Sequence, residues 1–534
     1  MQIEIKDSLE NIFQDSPHHY PLKKHIELDV ASGSIVSFHV LATGLTDNTI
    51  ECHILENDSE LKNTQIFELV SVPVEENTGL LGFSEKSAGM QNNSPNPYVI
   101  RKAPFRTYDA MKPVPSVFTV QNNSLALRIH IPLKNTPAGL KKYRVTLKSG
   151  KESATLDVTV NVYPVHIPPI GEKSFKVTNW FSYENIASRH KIKMWSPQWW
   201  KMLEEYAKLM AYGRQNTFWI PLSLIFSVKN SIATLDRIRL RKIVDVFTKA
   251  GLYYIEGGHV AGRTDGKWEA KTFDLSIHKV RATSAEGYKL LSQIGKQLIQ
   301  EIHQNNWQKR WIQHIADEPT ADNAVDYRIL SGMVRKVMPA MPILDATMDP
   351  SLVGAVDHWC PQIQEYQKHS DFFNEQKKLG DKVWYYSCCF PGGTWLNRLL
   401  DQELLRPLLL GWAGALFNLD GFLHWGLNHY VKIQNPFEMS VIPGWGGGKN
   451  ALPPGDTHII YPGTDGPWSS LRFEAQREGF EDYELLMILK KKQPARYAKI
   501  IKKVITGFDN YIKSVPIFRK QRLALLIALT DNKR

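Results

Sequence analysis

The sequence predicts a multidomain β plus α/β protein: an N-terminal β-sandwich, then a (β/α)8 TIM-like barrel, then a C-terminal helical tail. Residues 1–168 carry short alternating runs broken by turn-rich stretches, residues 169–489 switch to strand followed by helix, and residues 490–534 are basic with a striped apolar pattern. A chain of 534 residues also exceeds one ordinary core, so two or three domains are expected.

The sandwich rests on runs such as 34–40 and 126–131, where every second residue is apolar and one face can cover a core. The run 154–162 alternates cleanly and then meets Pro164, Pro168 and Pro169, a Pro-rich linker of the kind that ends a sandwich. Residues 92–97 read as a long loop within it. The barrel rests on eight strand candidates: 175–181, 216–221, 252–258, 311–316, 343–347, 356–360, 382–387 and 421–426. Helical patterns separate most of them, for example 199–212, 238–250, 285–304, 322–338 and 401–416, whereas only 351–353 is available in the fifth unit. Eight such units fit a barrel better than an open doubly wound sheet. In the tail, Ile500, Ile501, Val504 and Ile505, then Leu523, Leu525 and Leu526, fit amphipathic helices packed on the body.

Charge and cysteine usage narrow the function classes. The net charge is +11, but residues 490–534 hold 13 Lys and Arg against two acids, which leaves 52 charges of each sign in residues 1–489. A solvated basic helix face explains that excess, so no nucleic-acid partner is expected. Cys388 and Cys389 are adjacent and cannot close an ordinary disulfide; Cys52 and Cys360 fall in different modules, so free, mostly buried thiols are expected. No stretch reaches the roughly 18 apolar residues of a membrane span. The start, MQIEIKDSLENIF, lacks a signal pattern, which fits a cytoplasmic protein or a processed secreted or periplasmic one.

The chemistry points to a glycan rather than to a cofactor. Neither an HExxH helix nor a GxSxG elbow is present, and the run 444–449 lacks the spacing of a phosphate loop. His358, Cys360, His424 and His429 read as core or substrate-contacting groups, so no metal and no cofactor is expected. Residues 443–463, with six Gly and four Pro, read as a long loop after the eighth strand. Tryptophan is plentiful at 15 residues; near strand ends a flat ring can stack on a sugar face as well as fill a core.

Barrel active sites sit at the C-terminal strand ends. That rule selects Asn179, Trp180, His259, Asp317, Glu318, Asp349, Trp359, Tyr386, Trp425 and Asn428. Asp317-Glu318-Pro319 ends the fourth strand, and Pro319 cannot continue the ladder. A structural reading competes, because acids favour helix N-termini. A double-displacement glycosidase needs its two carboxylates about 5–5.5 Å apart on opposite sides of the glycosidic centre, whereas consecutive residues line one side. Adjacency therefore favours attack by the substrate's own 2-acetamido oxygen. Glu318 is then general acid and later base, while Asp317 orients the acetamide N–H and stabilises the oxazolinium charge.

Several stretches together resemble one family. They are Asn179-Trp180-Phe181, Gly258-His259, Asp317-Glu318-Pro319, the run 421–428, Ile460-Tyr461-Pro462-Gly463 and the run 477–483. Their order is similar to the barrel of glycoside hydrolase family 123 and the broader "domain of unknown function 4091" group, over roughly residues 170–490. The resemblance implies retaining β-N-acetylgalactosaminidase activity assisted by the acetamide, with the family's adjacent pair falling on Asp317 and Glu318. It makes Trp180, His259, Trp425, Asn428 and Tyr461 substrate-contact candidates and Tyr386 a candidate partner of the acetamide carbonyl, and strand-end position adds Asn179 and Trp359 to the substrate-contact candidates. The run 477–483 reads as packing against the barrel. The expected partner is a glycan or glycoconjugate. Two alternatives stand beside this: a glycosidase for a sugar without an acetamide, using Asp349 or Glu365 as separate nucleophile, and a non-catalytic glycan-binding protein.

Overall fold

A computed structural model describes every residue except 16, 17, 19, 88–92, 135, 446–449 and 532–534. Most of the glycine run 444–449 and the start of the loop 92–97 therefore lie outside the described residues.

The N-terminal part is two sheets face to face. One has the strand order Gln2–Asp7, Ile35–Thr43, Ser124–Pro132, Gln65–Val74, Phe105–Val114; the other runs His25–Ser32, Glu152–His166, Gly139–Ser149, Thr49–Glu56, Ser59–Glu60. Alternation decides what each face meets. Phe38 and Val40 point inward with Leu127 and Ile129 and pack against Val145, Leu147, Val158 and Val160 of the other sheet. Their neighbour Leu41, with Leu69 and Met111, points the other way and joins the core of the second module. The first sheet is thus covered on both faces. Polar residues on that outer face are buried too: Arg128 donates to His130 (2.9 Å), which lies 3.8 Å from Glu474 on the helix Leu471–Lys492.

The second module contains eight parallel strands, each inside a stretch expected from the sequence: Lys176–Asn179, Thr217–Ile220, Tyr254–Gly257, Trp311–Gln313, Leu344–Asp345, His358–Trp359, Lys382–Tyr386 and Gly421–His424. Their ladders make two sheets rather than the one closed barrel sheet expected. Five strands pair in the order first, eighth, seventh, sixth, fifth, and three in the order second, third, fourth. A single parallel bridge, Gln313 to Ile343, joins the two sheets on one side. On the other side a side chain replaces the ladder, Val177 N–H donating to Asn216 Oδ1 (3.0 Å). The fifth and sixth strands are only two residues long, which leaves little main chain to pair. Helices Pro197–Tyr212, Arg237–Ala250, Ala285–Gln304, Ala324–Val337 and Leu405–Phe417 follow the strands, and the fifth unit has only the 3-10 turn Pro350–Leu352.

The tail forms helices Pro494–Ile501 and Val515–Thr530 and uses part of its charge internally. Arg519 pairs with Asp7 of the sandwich (2.9 Å) and with Glu478; Arg522 pairs with Asp482 (2.9 Å) and donates to Asp29 O (3.0 Å). Among the described residues no helix is long and apolar enough to cross a membrane.

One excursion of the sandwich matters for the site. Between the strands Gln65–Val74 and Phe105–Val114, the chain leaves the sheet and reaches the C-terminal ends of the parallel strands. Phe83 N–H donates to Cys389 O (2.8 Å), Gly392 N–H to Leu81 O (2.9 Å) and Ser84 N–H to Ala451 O (2.8 Å). Buried Asp401 accepts from the N–H and hydroxyl of Thr78 (2.7 and 2.9 Å). The strands of backbone are so close that a Cβ on Gly392 would lie 2.1 Å from Gly79 O. Phe83 adopts φ +51° and meets Phe390 edge-on at 4.7 Å, a left-handed backbone that persists only where its surroundings impose it.

Candidate active site

Asp317 and Glu318 follow the fourth strand, and the backbone there answers how neighbours come to share one mouth. Glu318 has φ +45°, a left-handed turn uncommon outside glycine, which breaks the strand alternation that would send the two side chains apart. Arg263, on the hairpin strand Ala261–Arg263, holds this turn by donating to Asp317 O (3.0 Å) and Glu318 O (2.5 Å).

The pair opens into a cavity of about 280 Å³ lined by Trp180, Tyr386, Leu423, Trp425, Leu452, Cys388, Cys389, Ala346 and His429. Among the described residues lining it, Asp317 and Glu318 are the only acids. Asp317 also borders a second groove, of about 730 Å³, with His259, Arg263 and Trp268. Tyr386 Oη donates to Glu318 Oε1, and Gln362 also hydrogen-bonds this carboxylate. Both acids are held above the usual carboxylate range. For Asp317, still open to solvent on its outer side, lost hydration and then the charges of Glu318 and Asp345 raise the pKa to about 7, against the pull of Arg263 and His314. For Glu318, burial raises it against Tyr386 and Arg263. A carboxyl that keeps its proton near neutrality is what a general acid requires.

Beneath the pair lies a buried hydrogen-bonded network. His314 contacts Glu256 Oε1 (3.0 Å) through Nε2 and Asp345 Oδ1 (3.2 Å) through Nδ1, and Asp345 also accepts from Ile315 N–H (3.0 Å) and from Tyr327 Oη. Burial alone would lower the His314 pKa, but the bonds to Asp345 and Glu256 outweigh it and raise it to about 9. His314 is therefore an imidazolium with two donors and no lone pair. That matters because His259, His314 and Asp345 bring ligand-type atoms within 4.8 Å of one another. Both nitrogens of His314 and both oxygens of Asp345 are already hydrogen-bonded within this network. It fixes the strand end that carries Asp317: Trp180 Nε1 donates to Glu256 Oε1 (3.3 Å), and the Trp180 ring stacks on Trp219 at 4.7 Å.

Of the residues expected at the site, Trp180, Tyr386 and Trp425 line the cavity with the acids, and His259 lines the adjoining groove. Four are placed elsewhere. Asn179 is fully buried, accepting from Arg398 (2.5 Å), because its strand neighbour Trp180 takes the mouth. Trp359 faces the helix layer, with Nε1 on Asp381 (2.8 Å) and its ring against Phe372. Asn428 ties down the first strand's exit by accepting from Ser182 N–H (2.8 Å). Tyr461 donates to Asp109 of the sandwich (2.7 Å), where Arg472 joins it. Tyr386 lines the cavity, where its hydroxyl donates to Glu318. Asp349 caps the turn Pro350–Leu352 and Glu365 pairs with His369 (3.7 Å); neither borders the cavity. The sequence offered no motif for Arg263, Gln362 or the Glu256–His314–Asp345 network; their partners are distant in the chain. Cys388 and Cys389 were legible only as adjacent thiols, and both prove half-buried.

Residues 261–489 match the model of the glycoside hydrolase 123 catalytic domain. The whole chain superposes on a family 123 glycoside hydrolase from Clostridium perfringens, described for glycolipid glycan hydrolysis, with a TM-score of 0.70 over 99% of this chain and 97% of that one, at 14% identity. That likeness is one of fold. A Thermotoga petrophila endo-β-1,4-mannanase (TM-score 0.36, 11% identity, 59% of this chain and 77% of that one) and the Clostridium thermocellum xylanase 10B modules (0.34, 11%, 84% and 88%) superpose too loosely to carry an argument. The curated proteins hold no match. The matched segment contains the strained acidic pair, the arginine that holds it and most of the cavity wall, and through it the chain is identified as a glycoside hydrolase whose residues 261–489 match the family 123 catalytic domain.

Proposed function

We propose that this glycoside hydrolase releases β-linked N-acetylhexosamine, N-acetylgalactosamine preferred, with retention and with the substrate's acetamide as nucleophile. The observation that carries the reading is that the cavity's acids among the described residues are two consecutive carboxylates on one side. A separate protein nucleophile would have to stand across the sugar, and Asp349 and Glu365, the residues considered for it, are engaged elsewhere.

In this scheme the sugar ring lies against Trp180 and Trp425. Asp317 accepts the acetamide N–H, which makes the carbonyl oxygen a better nucleophile toward the anomeric carbon. As that bond forms, Glu318 gives its proton to the leaving oxygen. Glu318, now a carboxylate, removes a proton from the water that opens the oxazolinium ion, restoring both the sugar configuration and the acid. Tyr386 stabilises the carboxylate stage. We also read the eight parallel strands as one (β/α)8 barrel over residues 169–489, with the sandwich as residues 1–168 and the helical tail as 490–534.

The test is chromophore release from aryl β-N-acetylgalactosaminide, β-N-acetylglucosaminide and plain β-galactoside. Turnover confined to acetamido sugars, and lowered about 10²–10⁴-fold in Glu318→Gln, is the expected result. Efficient turnover of the plain galactoside would overturn the acetamide mechanism. Binding without turnover would favour a glycan-binding role for the cavity.

A further inference from the structure

Part of the cavity wall, beside Trp425, is a pair of adjacent thiols. Cys388 and Cys389 follow the strand Lys382–Tyr386 in a tight bend, closed by Cys388 N–H donating to Phe390 O (2.8 Å). In an extended strand these neighbours would face apart. The bend turns both to one side, with Sγ to Sγ at 4.0 Å, and both line the cavity with Asp317 and Glu318. Neither is a sealed core thiol: both are half-buried, whereas Cys52 and Cys360 are fully buried and lie apart from them.

The spacing decides what the pair can hold. A disulfide needs its sulfurs about 2.0 Å apart with a near-perpendicular torsion, which adjacent residues cannot reach without distorting the peptide between them. A trivalent arsenical is pyramidal at arsenic, so its two sulfurs stand somewhat closer together than the 4.0 Å seen here. Rotation about the Cα–Cβ bonds of the two half-buried side chains can close that difference. The hydrogen bond to Cys388, and then burial, keep Cys389 protonated, and a protonated thiol is a poor partner for oxidation. Gln362 donates to Cys388 Sγ (3.8 Å) and hydrogen-bonds Glu318 as well, so the thiol wall and the acid share a positioning residue.

We propose that Cys388 and Cys389 form a binding site for a soft, sulfur-seeking centre, of which a monosubstituted trivalent arsenical is the form that fits, and that its occupation blocks the cavity. The second half of the statement rests on reading this cavity as the catalytic one. With phenylarsine oxide the step balances without an oxidant. Two As–S bonds form, the arsenic–oxygen bonds break, and the oxygen leaves as water with the two thiol protons. Arsenic stays trivalent throughout.

The experiment uses the full-length protein and phenylarsine oxide, read in parallel by intact mass, by peptide mapping and by glycoside turnover. The expected result is one arsenical per chain, mapped to the peptide carrying Cys388 and Cys389. It is removed by a dithiol but not by a monothiol, and turnover drops at least tenfold. Cys389→Ser and Cys388→Ser should each lose the adduct, and their remaining turnover should not respond to the arsenical. No adduct on the folded wild type overturns the site. An adduct that leaves turnover unchanged overturns the occlusion. If wild type cleaves no glycoside, the catalytic reading fails, while the adduct mass still decides the dithiol site by itself.

Discussion

Replacing Tyr386 with Phe probes the electrostatics of the acidic pair. The Tyr386 hydroxyl donates to Glu318 and is the largest influence opposing the burial that raises its pKa. A hydrogen bond to a charged acceptor contributes about 1.5–3 kcal/mol, and one pKa unit corresponds to about 1.4 kcal/mol. Glu318 is half-buried, so water recovers part of the loss, and a shift of about one unit is expected. Its sign is fixed. Phenylalanine destabilises only the carboxylate, so the proton is held to higher pH. The alkaline limb of kcat/KM marks loss of the proton that must be donated, and it should move up by about one unit. At neutral pH kcat should fall, because the same group must act as a carboxylate base in the second step. Asp317 and Glu318 interact, so the limb belongs to the pair rather than to either residue. The assay is a kcat/KM profile of wild type and variant on the best aryl glycoside from about pH 4 to 9. A limb that stays in place or moves down would refute the assignment of Glu318 as the acid.

Trp359→Phe should leave kcat/KM within about twofold and lower stability by about 1 kcal/mol through loss of its bond to Asp381; a tenfold loss of activity with unchanged melting would put Trp359 back among the substrate contacts. Gly392→Ala must displace the Gly79 carbonyl, costing about 1–3 kcal/mol, and should raise KM because the same contacts hold the Cys388–Cys389 wall. Unchanged KM in a folded variant would show that wall to be independent of the sandwich. Glu474 and Glu478 have pKa values lowered to about 2: burial opposes this, but His130 with Arg477 and Arg128 in one case, and Arg519 with Arg522 in the other, outweigh it. His130 is itself held neutral at ordinary pH, so for Glu474 the arginines do the work there. The stability these acids contribute is present above the unfolded carboxylate value near about 4.3 and is lost as pH falls toward about 2. Acid denaturation followed by circular dichroism should therefore be shallower in Glu474→Gln; equal slopes would count against it.

The strands and the acidic pair were legible because both are local signals. The succession of strand-like runs and helical patterns places Lys176–Asn179 or Gly421–His424 without any tertiary knowledge, and a strand ending in Asp-Glu-Pro advertises itself. What the sequence hid were long-range arrangements. Nothing in the residues near Asn216 says that its side chain will stand in for a ladder, and so the closed sheet was expected where two sheets form. Strand-end position also selects both faces of a strand. Trp180 and Asn179 are equally close to the end of theirs, but only one can face the cavity, and Trp359 fell on the wrong side of that choice. Tyr461 carried an aromatic, polar signature that suits a sugar site and serves an interface with Asp109 equally well. Arg263 holds the acids through their backbone carbonyls, which no side-chain motif records.

The excursion that carries Phe83 gives the two modules joint custody of the cavity. The region matched by the family model begins at residue 261, yet one rim of its cavity is pinned by main-chain bonds from residues 81–84. A gene fragment encoding only the matched region would lack that rim as well as the first three parallel strands. Over evolutionary time the same arrangement forbids a simple exchange of N-terminal modules, since a new sandwich would have to supply an equivalent turn at an equivalent height. It also opens a route to new specificity: substitutions in a segment far from the catalytic strands in sequence can reshape the sugar pocket while every residue of the acidic pair and its supporting network stays unchanged.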